Sequence, residues 1–94
     1  MSSEHEAPRS RTQRTLIDFL QTELKIGPTH VRTALIAKSE GHLDHYARAK
    51  QNAAKAADCV RRFMNQVADP TVRTEIGKQL AKLDRLISAM TDDA

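Results

Sequence analysis

The side chains most able to do chemistry are the histidines and a single cysteine. His42 and His45 stand three apart with Asp44 between them, at the start of a helical segment. His-x-x-His can chelate zinc or nickel, but a structural zinc site wants four well-placed ligands. His30 begins a different helix and should lie far from His42 in an antiparallel hairpin. No metal site is expected, and the histidines read as exposed or turn-capping. Cys59 has Arg62 one turn away but sits mid-helix, away from the helix N-terminus that lowers a thiol pKa. It reads as a residue at the boundary between core and surface, and a disulfide between two chains is the one bond left to it. A single cysteine excludes an internal disulfide and suits a reducing, cytoplasmic setting.

Acid–base catalysis needs paired carboxylates in a cleft, yet no Asp or Glu falls on an apolar face. Cys59 and the histidines lack the spacing of a nucleophile and its base. Three glycines, each at a turn or alone in a helix, cannot build a phosphate loop. The expectation is a non-enzyme with no catalytic residue, no cofactor and no metal.

Fifteen Lys+Arg against 12 Asp+Glu give a net charge of +3, with a pI near 9.4. Arg9, Arg11 and Arg14 read as the seat of that excess, in an N-terminal arm, with the rest of the chain near balance. A nucleic-acid binder concentrates its cations on one face. Nucleic acid is therefore the lesser reading, with Arg9, Arg11, Arg14, Arg61 and Arg62 as its phosphate contacts.

Those residues must be positioned by helices. The chain has 94 residues, 3% aromatics, and few Gly and Pro, which disfavours a β-sandwich or barrel. No segment approaches the ~20 apolar residues of a membrane span, and no apolar leader precedes the body. Residues 1–12 read as a disordered polar arm and 13–91 as one helical domain. Helices are expected at about 13–25, 28–40, 43–67 and 70–90. Leu16, Ile17, Leu20 and Leu24 share the first apolar face. Gly27-Pro28 reads as a C-cap followed by a helix start, with a single kinked helix as the alternative. The second helix carries Val31, Ala34, Leu35, Ile36 and Ala37 on more than one face, as if sandwiched between neighbours.

The third helix carries Tyr46, Ala49, Ala53, Ala56, Ala57, Val60, Phe63, Met64 and Val67 along one apolar arc. Its outer stripe allows Asp44–Arg48 and Asp58–Arg62 pairs. Asp69-Pro70 opens the fourth helix as N-cap and first residue. That helix carries an inward stripe of Val72, Ile76, Leu80, Leu83, Leu86, Ile87 and Met90, with Gly77 at its edge. The fold class is all-α, an antiparallel three- to four-helix bundle.

Ala34-Leu35, Gly41 at a turn, Ala49, Ala53 and Ala56, and a terminating Asp69-Pro70 together resemble a tetratricopeptide-like helical hairpin with flanking helices. The set also resembles the small three-helix microtubule-interacting-and-transport-type domains. The stretch Asp18-Phe19-Leu20-Gln21-Thr22-Glu23-Leu24, followed by Gly27-Pro28-Thr29, is similar to that of short bacterial proteins. The resemblance implies peptide or protein binding in a helix groove, without catalysis. Ile36, Tyr46, Ala57 and Met64, at the margins of the apolar arcs, are the expected partner surface, and a homo-oligomer is one outcome.

Overall fold

A computed structural model describes residues 2–90, with side chains from Thr12 onward. Most of the expected arm, 1–12, and the end beyond Met90 lie outside the described side chains. Among the described residues the fold is all-helical. Helix α1 runs Ser2–Ser39 and α2 runs Leu43–Phe63, continued by a 3-10 turn Met64–Gln66. Helix α3 runs Pro70–Ala89.

The two helices expected at 13–25 and 28–40 are one. Helix α1 passes through Gly27-Pro28 without a break. Pro28 has no N–H to give the Leu24 carbonyl, so one intrahelical bond is lost. The apolar phase is not lost. Ile17, Leu20, Leu24, Gly27, Val31 and Ala34 alternate four- and three-residue steps, all of them buried or partly buried. That 3.5-residue seam crosses the Gly-Pro step unchanged, and tertiary packing along it outweighs the local signal. Helix α2 repeats the pattern through Tyr46, Ala49, Ala53, Ala56 and Val60, and α3 through Ile76, Leu80, Leu83 and Met90.

The α1–α2 turn is closed by Gly41 at φ 79. His42 donates to the Ala37 carbonyl at 2.8 Å and Gly41 to the Lys38 carbonyl at 3.1 Å, the two bonds of a Schellman cap. The helices that leave it run antiparallel, and small residues on the facing seams let them approach closely. Asp69 caps α3 as its sequence predicts, accepting from the Thr71 and Val72 amides with Pro70 in the first turn.

Helix α3 lies antiparallel to α2 and parallel to α1. Arg61 donates to both carboxylate oxygens of Asp84, at 2.7 and 2.8 Å, and Met64 lies over Gly77. Against α1, Leu83 fills the space that a side chain on Gly27 would take. A methyl there would fall 2.6 Å from Leu83 Cδ2, so the missing side chain is what lets α3 seat.

The Gln13 amide clasps the α2–α3 connection. Its Nε2 donates to the Gln66 carbonyl at 3.0 Å, and its Oε1 accepts from the Ala68 amide at 2.9 Å. The second half of α1 is not sandwiched as expected. Leu35 and Ile36 are exposed there, and so is Leu43 at the start of α2. Leu86, expected inside, is also exposed because it sits beside the α3 seam rather than on it.

Candidate functional site

Of the four residues expected to form a partner surface, the structure leaves only Ile36 well exposed, at 52%. Tyr46 is 7% exposed and Ala57 2%, both inside the hairpin core. Tyr46 is roofed by two lysines, with Lys38 Nζ 5.3 Å and Lys50 Nζ 6.0 Å from its ring. Met64 is half-buried over Gly77. Tyr46 and Ala57 fall at the margin of an arc that considers one helix face alone. The 3.5-residue seam, with neighbours on both flanks, covers both.

Of the arginines read as phosphate contacts, Arg9 and Arg11 lie outside the described side chains. Arg14 and Arg62 are exposed. Arg61 is committed to protein: besides Asp84 it donates to Asp58 at 2.6 Å. Asp58 therefore pairs one turn along with Arg61, and not with Arg62 as the spacing suggested. The hydrogen bonds that Arg61 donates to Asp84 push the guanidinium pKa up, against the opposing effect of burial.

The charge distribution also differs from expectation. Residues 12–90 hold 13 Lys+Arg and eight Asp+Glu. Four of the chain's acids, Glu4, Glu6, Asp92 and Asp93, lie in its two ends. The basic excess belongs to the helical body and not to the arm.

Cys59 is partly buried on α2. Burial pushes its thiol up, the Glu23 carboxylate adds to that, and Arg62 opposes it, so the thiol stays protonated at neutral pH. His42 and His45 meet edge-to-face at 5.9 Å, with Glu40 3.8 Å from His42. Among the described residues no group of three or more His, Cys, Asp or Glu could hold a metal ion. No polar or charged side chain there is buried, and no helix is long and apolar enough to cross a membrane.

The feature that sequence reasoning missed lies opposite the seam of α1. Thr12, Thr15, Phe19, Thr22, Ile26, Thr29, Thr33 and Ile36 follow one another at alternating three- and four-residue steps, so they line a single face. That face spans about 36 Å. It carries no charge, and all of it is exposed except Ile26, which is intermediate. Phe19 is 42% exposed. With Thr12, Thr15 and Leu16 it lines a shallow groove of about 380 Å³.

Two of the threonines turn their hydroxyls inward. Thr22 donates to the Asp18 carbonyl at 2.8 Å and Thr29 to the Lys25 carbonyl at 3.2 Å. The polar atom is thereby satisfied within the helix. The outer faces of the other helices differ sharply. Helix α2 shows Asp44, Arg48, Lys55, Asp58 and Arg62, and α3 shows Glu75, Lys78, Lys82 and Arg85. The signal was present in the sequence as an absence of charge at every position of one helical face. It was diluted by threonine, which reads as polar. No protein-family model, curated protein or solved structure matches this chain.

Proposed function

We propose that this chain is a non-enzymatic helical interaction module that docks a protein partner on the outer face of α1. One observation carries the reading: that face is uncharged from Thr12 to Ile36 while the outer faces of α2 and α3 are charged. A helix face meant only for water takes Lys, Glu, Gln or Arg. Threonine and isoleucine there cost several tenths of a kcal/mol each in helix propensity. Contact with another protein surface offsets that cost, because β-branched side chains lose little further rotamer freedom on docking. The resemblance to tetratricopeptide-like and microtubule-interacting-and-transport-type modules supports a protein-binding role, though those modules would bind in a groove between helices and not on an outer face. It rests on the Gly41 turn and the alanine-rich α2.

The test is site-specific photo-crosslinking in cells. A photoreactive residue at Thr22 or Thr29 should form protein adducts. The same residue at Lys55 or Lys82, on the charged faces, should form few or none. Equal labelling at all four positions, or none at Thr22 and Thr29, contradicts the reading.

A second reading is a weakly basic nucleic-acid-associated protein. It is favoured by the excess of cations over residues 12–90. Against it, Arg61 is engaged by two carboxylates, and acids interrupt the basic rows. A gel shift with duplex DNA that survives physiological salt would support this second reading and displace the first.

A further inference from the structure

We infer that the occupant of the α1 face is a second copy of this chain, the two α1 helices packing lengthwise about a two-fold axis. The inference rests on the docking reading above and names its partner. A two-fold interface sets the same patch against itself, so every side chain on it faces a surface of its own composition. A face with one sign of charge repels its own copy under that operation, and a mixed one must give up the hydration of its charges, whereas an uncharged face does neither. On α2 and α3 the stripe opposite the buried seam carries charge, whereas on α1 it carries none between Thr12 and Ile36, with Asp18, Lys25 and Arg32 standing beside it.

The seam has what a helix pair needs. Phe19, Ile26 and Ile36 supply bulk, and they recur on the 3.5-residue step that keeps two long helices in register. The hydroxyls of Thr22 and Thr29 are already bonded to their own backbone, so burying them strands no donor. The area also suffices. A helix about 10 Å across that gives half its accessible circumference to a partner over ~36 Å buries roughly 700 Å². Two copies then bury about 1,400 Å², within the ~1,200–2,000 Å² of stable complexes. The flanking positions mix Asp18 and Glu23 with Lys25 and Arg32, so neither rim carries a single sign of charge.

The purified full chain is measured by sedimentation equilibrium under reducing conditions, which removes any Cys59 disulfide. The expected result is a particle of twice the 10.5 kDa chain mass at micromolar concentration. The double variant Phe19→Glu/Ile36→Glu should weaken the dimer by about 100-fold or more, because it removes two of the three bulky apolar contacts in each copy and sets charge of one sign against itself. Its helical circular dichroism should be unchanged, since both side chains point away from the core. The single change Thr29→Lys, which keeps both anchors, is an independent probe and should also weaken the dimer.

A wild-type chain that stays monomeric to hundreds of micromolar overturns the inference. So does a dimer that the double variant and Thr29→Lys leave intact. A monomer that still gives adducts with other proteins at Thr22 and Thr29 overturns the self-pairing alone. Loss of those adducts as well overturns the docking reading beneath it.

Discussion

Gly27→Ala places one methyl group where α3 packs on α1. The new carbon would stand 2.6 Å from Leu83 Cδ2, 3.0 Å from Cδ1 and 3.4 Å from Cγ. Leu83 is 1% exposed, so the contact is relieved only by moving a packed side chain or the helix that carries it. Forcing a methyl into such a site costs about 1–3 kcal/mol. The same change removes a mid-helix glycine, worth about 1 kcal/mol in the opposite direction. The expected net is a destabilisation of about 1 kcal/mol, or a melting temperature lower by roughly 4–8 °C in a domain of this size.

The background decides the sign. With Leu83→Ala the clash is gone, and Gly27→Ala should stabilise by about 1 kcal/mol. The coupling energy is then about 2 kcal/mol, within the range of contacting residues. Urea unfolding of the four proteins, with sucrose present to keep the truncated seam folded, reads the cycle at one protein concentration. If Gly27→Ala stabilises the wild-type chain as much as it does the Leu83→Ala chain, α3 does not seat on α1 at this point and the packing described is wrong.

Three further outcomes follow from particular contacts. Gln13→Ala removes two bonds to the α2–α3 connection. It should cost about 1 kcal/mol and speed hydrogen exchange at the Ala68 amide, while the Gly41 turn stays protected. Asp69→Ala removes the cap of α3 and should cost about 1 kcal/mol in thermal or urea melts. The Cys59 thiol should react with a disulfide reagent along a pH profile whose midpoint lies above that of an unperturbed thiol. Glu23→Gln should lower that midpoint and Arg62→Gln raise it; the opposite signs would contradict the placement of Cys59 between them.

Much of the fold was legible where local chemistry is decisive. The Gly41 turn and the Asp69-Pro70 cap are each specified by two or three adjacent residues and stand where those residues put them. Gly27-Pro28 misled because the same two residues that end a helix in isolation are tolerated inside one. Glycine there makes room for Leu83, and the lost Pro28 bond is one among many. The unbroken spacing Leu20, Leu24, Gly27, Val31, Ala34 held the information, but only to a reading that lets the period pass through proline.

The site was less legible. Apolar margins beside a buried arc drew attention to Tyr46 and Ala57, which the neighbouring helix covers. The face opposite the seam escaped notice because threonine between Phe19, Ile26 and Ile36 looks polar in sequence. At Thr22 and Thr29 the hydroxyl is bonded to the backbone carbonyl four residues earlier, which only the folded helix shows. Charge misled for a simpler reason: three arginines near the start drew attention away from the acids at both ends.

The central claim is that the α1 face is where two copies of this chain meet. A dilution series of amide correlation spectra on the ¹⁵N-labelled chain tests it most directly. The account predicts concentration-dependent shifts at Phe19, Thr22, Ile26 and Thr29, with Arg48, Lys55 and Lys82 unchanged. Shifts confined to the α2 or α3 faces, or no shift at any concentration, would contradict it.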